Sequence, residues 1–246
     1  MKAEHAERYG TALLAVDSLN KKGCESSMKK AYNGIYNRCV KRLFDIGISG
    51  IALLILWPLY LIIGIAIAVE DGFPIFYRAP RGGYKNCPFK ICKFRSMVKN
   101  ADRIGGGTTA LHDSRITKVG NFLRKTKMDE IPQLGQVFLG KMSLIGPRPE
   151  LLEYVKQYKG EEKDILQVRP GITDYSSIEF INLDEIVGGE ANADEIYEQR
   201  VLPEKNRLRV KYAHTVSFSV DFKLLFLTIW KVIEKAYGFI VKKEHR

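Results

Sequence analysis

The sequence predicts an α+β protein, mostly helical, with one membrane-embedded helix, a small β-hairpin and amphipathic helices at the interface. Three observations carry this expectation. Ile46 to Val69 is a run of 24 residues without a charge, and at 1.5 Å per residue it is long enough for a hydrocarbon core of about 30 Å. Pro74 to Tyr77 and Phe89 to Phe94 are short apolar-rich runs on either side of Arg81-Gly82-Gly83, the pattern of a hairpin. From Lys118 onward helical spacing dominates, punctuated at Gly140 and Gly146-Pro147.

In chain order, residues 1–36 read as a polar, amphipathic extension with no motif. Its first apolar run, Ala12 to Val16, is too short for a secretory signal and follows acidic residues. Residues 37–71 hold the membrane segment, with Pro58 at its middle, where a proline removes a backbone hydrogen bond and crowds the preceding turn. Arg38, Lys41 and Arg42 precede the apolar run and Arg78, Arg81, Lys85 and Lys90 follow it. Basic flanks mark the cytoplasmic side, so both ends favour one face. A helix that kinks at Pro58 and re-enters satisfies this, and so does a spanning helix with a tolerated proline. The physics alone leaves both open.

Residues 72–246 read as a region of soluble-domain character that ends in an amphipathic helix. Gly105-Gly106-Gly107 is a loop without the lysine pattern of a phosphate cradle. In Lys127 to Leu134, Pro132 is tolerated only in a first helical turn, so a helix is expected to begin near Asp129. Asp129 is then either an N-cap, with Glu130 a first-turn acid, or an ionised nucleophile whose neighbour holds a divalent cation against an incoming diphosphate. Arg115, Lys118, Arg124, Lys125 and Lys127 crowd the pair, as a site for phosphates requires. Arg148, held between Pro147 and Pro149, and Arg169, ahead of Pro170-Gly171, are each a rigidly presented phosphate ligand or a carboxylate partner.

Between Asp221 and Val241 most positions are apolar. At 100° per residue Lys223, Lys231, Glu234 and Lys235 share an arc of about 120°, opposite a face rich in Phe and Trp. A helix lying in the interface fits this pattern; so does one packed on the domain's own core.

Charge narrows the partners. The chain has 246 residues, with 39 basic against 28 acidic side chains and a net charge of +11, which calls for phosphorylated substrate, anionic lipid or nucleic acid. No helix-turn-helix, RNA-binding or zinc signature is present, and the basic residues gather around acids rather than aromatics. Cys24, Cys39, Cys87 and Cys92 lack zinc-site spacing and read as free thiols.

Together, Lys41-Arg42-Leu43-Phe44-Asp45, Lys93-Phe94-Arg95-Ser96-Met97, Asp113 to Thr117, Asp129-Glu130, Gly140 to Pro149, Arg169 to Thr173 and Val201-Leu202-Pro203 resemble the monotopic bacterial phosphoglycosyl transferases. These are the polyprenyl-phosphate sugar-1-phosphate transferases that start exopolysaccharide, capsule and glycoprotein glycans. The resemblance runs from about Lys41 to about Val241. It implies a re-entrant helix broken at Pro58, in the bacterial inner membrane, with the active site on the cytoplasmic face. By the same analogy Asp129 attacks the β-phosphate of a UDP-sugar, releasing UMP, and polyprenyl phosphate attacks the aspartyl phosphosugar. Glu130, with Mg²⁺ held by Asp129 and Glu130, organises the diphosphate. Lys93, Arg95, Arg124, Arg148 and Arg169 match basic positions of the phosphate pocket. The partners implied are donor, lipid acceptor and bilayer, with no nucleic acid; self-association stays open.

The chain departs from the family pattern at Trp57, where serine is common before the proline. It departs again at Ser114, within Asp113-Ser114-Arg115, and at Asp174-Tyr175-Ser176-Ser177, where nucleotide or sugar contacts are in question and Tyr175 is a candidate stacking platform. The +11 charge also admits a membrane-anchored scaffold, and the altered 174–177 stretch a degenerate relative serving as a partner.

Overall fold

A computed structural model describes residues 31–101, 113–183 and 193–244. The Gly105–Gly107 loop, Cys24 and most of the N-terminal extension lie outside the described residues. Helix α1, Lys41–Asp71, contains the whole apolar run. Pro58 lies inside it and the helix continues to Asp71. With the turn before it, this is the one helix among the described residues long and apolar enough to cross a membrane. Its apolar side chains are largely uncovered: Leu54, Ile55, Trp57 and Val69 are exposed, whereas Ile63, Gly64 and Ile67 face the domain.

Both ends of α1 are fastened. Lys41 pairs with Asp221 in a buried ion pair, and Arg42 donates to the carbonyls of Val137 and Phe138. Asp45 accepts from the Ser143 hydroxyl (3.1 Å) and the Leu144 amide (2.9 Å). At the far end Arg95 donates to the Asp71 and Gly72 carbonyls. Glu70 accepts the Lys118 and Val119 amides at 2.7 and 2.9 Å, placing a carboxylate on the open N-terminus of the next helix.

The hairpin follows as β1, Phe76–Arg81, antiparallel to β2, Phe89–Phe94. The first strand begins two residues later than expected and runs on through Arg81, which the sequence placed in the turn. Pro80 is tolerated because each strand of a two-stranded sheet has a free edge. Helix α2, Lys118–Lys125, is capped by the Thr117 side chain. Lys127 then takes a left-handed conformation (φ 59°), and Met128–Glu130 form a 3-10 turn before α3, Gln133–Phe138.

This corrects the expected helix start. Glu130 and Ile131 bond three residues back, to Lys127 and Met128, so the chain winds tighter than an α-helix until Pro132 opens α3. Asp129 is therefore not an N-cap.

Two three-residue strands, β3 (Ser143–Ile145) and β4 (Gly171–Thr173), pair in parallel. Helices α4 (Tyr175–Glu179), α5 (Leu202–Thr215) and α6 (Phe218–Glu244) complete the domain. Ile145, Val168, Tyr212, Val216 and Leu224 form one core; Ile63, Ile67, Phe94 and Leu123 form another that seats α1. Helix α6 packs on the domain's core along one face and leaves its aromatic face uncovered. Leu224 is buried in the core while Phe222, Phe226, Trp230 and Ile233 stay exposed.

Candidate active site

A cleft of about 1570 Å³ opens between α1, the hairpin, the Met128–Glu130 turn, the β3–β4 pair and α6. Asp129 and Glu130 line it with Lys93, Arg124, Lys127 and Arg148. Three constructions bring these side chains together from distant sequence. Gln136 on α3 clamps the free edge of β2, accepting the Cys92 amide (2.8 Å) and donating to the Lys90 carbonyl (2.7 Å). That register carries Lys93 to Glu130, Nζ to Oε1 at 2.9 Å. The β3–β4 pair aims Arg148, which donates to the Ile172 carbonyl (3.1 Å) and to both oxygens of Glu130. Its own amide points at the Asp174 carboxylate, 3.4 Å away.

The two carboxylates are electrostatically unlike. Burial alone would raise Glu130, but Arg148 and then Lys93 hold it well below the usual carboxylate range. Arg148 is correspondingly held in its charged form: burial opposes the charge, and Glu130 more than offsets this. Asp129 is buried and, among the described residues, its carboxylate makes no hydrogen bond. Burial pushes it up, and Lys93, Lys127 and Arg124 offset only part of that. Burial likewise pushes Lys127 down; Glu130 resists, while Lys235 and Arg148 add to the fall. Glu130 is thus a fixed anion bound by two cations, and Asp129 a desolvated carboxylate that accepts no hydrogen bond among the described residues.

The remaining predicted residues divide. Arg124 lines the cleft on α2. Arg95 borders it too, but its guanidinium turns into the C-terminus of α1 and pairs with Asp71 at 3.1 Å. Arg169 is not among the cleft-lining residues; it lies over the Tyr84 ring, 5.0 Å from the centroid, and donates to the Gly140 carbonyl. Arg169 thus has a ring and a backbone carbonyl for partners, and not the carboxylate that was the expected structural alternative. Tyr175 packs edge-on against Tyr212 and under Lys211 rather than in the cleft.

Asp174 caps α4, accepting the Ser177 amide at 2.8 Å, so the departing 174–177 stretch is a helix start whose Ser176 and Ser177 face the cleft. Asp113 binds Arg115 with both oxygens, at 2.6 Å for the closest contact. Gln136 was missed as an organiser; a glutamine that caps a sheet edge leaves no mark in a linear pattern.

Comparison with known proteins decides the family. A model described as bacterial sugar transferase matches residues 36–235. The chain belongs to this family. The chain is 35% identical over 218 residues to a UDP-glucose:undecaprenyl-phosphate glucose-1-phosphate transferase of Klebsiella pneumoniae, covering 87% of the chain and 43% of the relative. It is 32% identical over 201 residues to a UDP-N-acetylgalactosamine-undecaprenyl-phosphate N-acetylgalactosaminephosphotransferase of Aeromonas hydrophila, covering 79% and 44%. It is 34% identical over 195 residues to the uncharacterized sugar transferase EpsL of Bacillus subtilis, covering 79% of the chain and 87% of that protein. The chain thus spans about two fifths of the length of the first two relatives and most of the third.

Proposed function

We propose that this chain transfers a sugar 1-phosphate from a UDP-sugar to polyprenyl phosphate at the cytoplasmic face of the bacterial inner membrane, the first membrane step of a glycan pathway. The observation that carries the reading is the pairing of a desolvated Asp129 with a doubly bound Glu130 in one cation-lined cleft. An Asp129 carboxylate oxygen attacks the β-phosphorus; the bond from that phosphorus to the bridging oxygen breaks, and UMP leaves with it. An oxygen of the acceptor phosphate then attacks the same phosphorus and frees Asp129. The sugar C1–O bond is never broken, so anomeric configuration is retained. Lys93, Arg124 and Arg148 balance the charge of the bound diphosphate. The relatives' names give the substrate classes, a UDP-sugar and undecaprenyl phosphate.

Mg²⁺ fits this donor set. It characteristically takes one or two carboxylates and completes its shell with substrate phosphates and water. Asp129 accepts no hydrogen bond among the described residues, whereas Glu130 would share the ion with Arg148 and Lys93. When bound, the ion would neutralise diphosphate charge.

Membrane embedding of α1 is part of the proposal: residues 37–71 enter and leave on one face, and 72–246 form the catalytic domain; the expected break at Pro58 is absent, because the helix continues through the proline to Asp71. Its support is the uncovered apolar surface and the fastening of both ends. A helix of 31 residues is about 46 Å long, yet Lys41 and Glu70 both bind the same domain. A crossing helix would deliver its ends to opposite faces.

The test is UMP release by purified protein with a panel of UDP-sugars, polyprenyl phosphate and Mg²⁺. Release from one donor, lost by at least a thousandfold in Asp129→Asn, is the expected result. Wild-type turnover by Asp129→Asn would sink the mechanism.

A further inference from the structure

Helix α6 is two-faced in a way the proposed chemistry does not yet use. Thr228, Lys231, Val232 and Lys235, spaced at helical intervals, line the cleft. Phe222, Phe226, Trp230 and Ile233, on the roughly opposite side, are exposed. One helix thus presents a lysine pair to the catalytic cleft and an aromatic stripe to whatever surrounds the protein.

The lysines are placed with support. Lys235 donates to the Ile181 carbonyl at 2.9 Å, which leaves further N–H groups on an ammonium that carries three. Lys231 is within 3.2 Å of Glu234 and still borders the cleft. Thr228 shares a hydrogen bond with Thr173 on β4 (2.9 Å), fixing the rotation of α6 against the strand pair that also aims Arg148. Lys127 lies within electrostatic reach of Lys235 on one side and of Asp129 and Glu130 on the other. The cations therefore form a track from α6 to the carboxylates, and Ile178, Ile181 and Val232 make the cleft wall beside it apolar.

We infer that Lys231 and Lys235 bind the phosphate headgroup of the long-chain lipid acceptor. The inference rests on the proposed transfer reaction for its ligand. A lipid phosphate arrives with its charge at headgroup depth and its chain in hydrocarbon, so its site needs cations and an apolar exterior on one element. Helix α6 has both. The donor is water-soluble and needs no such pairing, and Lys93 and Arg148 are already drawn to Glu130.

The chain has two tryptophans, Trp57 and Trp230, so Trp57→Phe leaves Trp230, next to Lys231, as the sole reporter. In that background, reconstituted in phosphatidylcholine nanodiscs, polyprenyl phosphate should change the Trp230 fluorescence saturably. The uncharged polyprenol and inorganic phosphate should not. Lys231→Ala with Lys235→Ala should raise the half-saturating lipid phosphate about tenfold or more. The paired Arg substitutions should restore it, and Lys223→Ala, an exposed lysine away from the cleft on the same helix, should leave it unchanged.

An unshifted midpoint in the double alanine variant overturns the inference. So does an equal response to inorganic phosphate, which would make this a free-phosphate site, or a shift reproduced by Lys223→Ala, which would make it a bulk-charge effect. In turnover, KM for polyprenyl phosphate should rise with KM for the UDP-sugar unmoved; a matching rise in both assigns the lysines to the donor and overturns it equally. Lipid phosphate binding without turnover of any donor would sink the transfer reaction while leaving the headgroup site standing.

Discussion

Asp129 and Glu130 are adjacent, share one cleft and are displaced in opposite directions, Asp129 upward by burial and Glu130 downward by Arg148 and Lys93 despite its burial. Asp129 attacks only when ionised, so the raised carboxylate sets the acid limb of UMP release. Rate should fall as pH drops through that limb, at a pH above the ordinary aspartate value of about 4. Lys93 is the largest influence opposing the burial. In Lys93→Met the limb should therefore move to higher pH, read from kcat/KM for the donor against pH; a limb that stays in place would separate it from Asp129. The acid pair and its basic neighbourhood were legible as chemistry in the linear sequence. Which carboxylate would be bonded and which bare was not, because Lys93 and Arg148 reach Glu130 from 37 and 18 residues away.

At the scale of elements, the long apolar helix and the terminal amphipathic helix declare themselves through many periods of pattern, and both form where expected. The β3–β4 pair does not, since three residues carry almost no periodic signal and their partners lie 28 positions apart, at Ser143 against Gly171. Its tightness is nonetheless visible in two glycines. A Cβ on Gly171 would stand 2.1 Å from the Gly146 nitrogen, and one on Gly146 would stand 2.4 Å from the Arg169 carbonyl oxygen.

Gly171→Ala should thus force the strands apart, lowering stability by about 1–3 kcal/mol and raising KM for the donor because Arg148 is aimed by this pair. Gly135→Ala is the control: nothing lies within 4 Å of its Cβ position in α3, and a helix-interior glycine replaced by alanine should gain about 0.5–1 kcal/mol. Thermal unfolding of the two variants checks the contrast, and similar midpoints would contradict it.

For the molecule as a whole, the junction between α1 and the domain is a buried polar network. Asp221, at the start of α6, accepts from Lys41, from the Tyr36 hydroxyl (2.7 Å) and from the Tyr212 hydroxyl (2.6 Å), while Asp45 binds β3. Each member is satisfied by others far away in sequence, so the network specifies one docking angle for the long helix. Removing one partner strands a buried charge. Asp221→Leu should cost about 3–5 kcal/mol, and the double variant Lys41→Met with Asp221→Leu should recover much of it. A double variant no more stable than the single one, by thermal unfolding in detergent, would show that the pair itself is not what holds the junction.

By itself the sequence determined that the chain is mostly helical, that one segment is too apolar and too long for an ordinary core helix, and that two acids sit among many bases. Those properties are local or compositional, and burial, periodicity and charge can be read along a line. The tertiary structure alone decided that Arg169 braces Tyr84 and Gly140 instead of lining the cleft, and that Arg95 turns its guanidinium into the end of α1. It also decided that Asp129 follows a left-handed residue in a 3-10 turn and caps nothing. An arginine looks the same in sequence whether it meets phosphate, a carbonyl or a ring. Its partner is chosen by which surfaces pack together, and that choice is made by contacts between residues the chain keeps far apart.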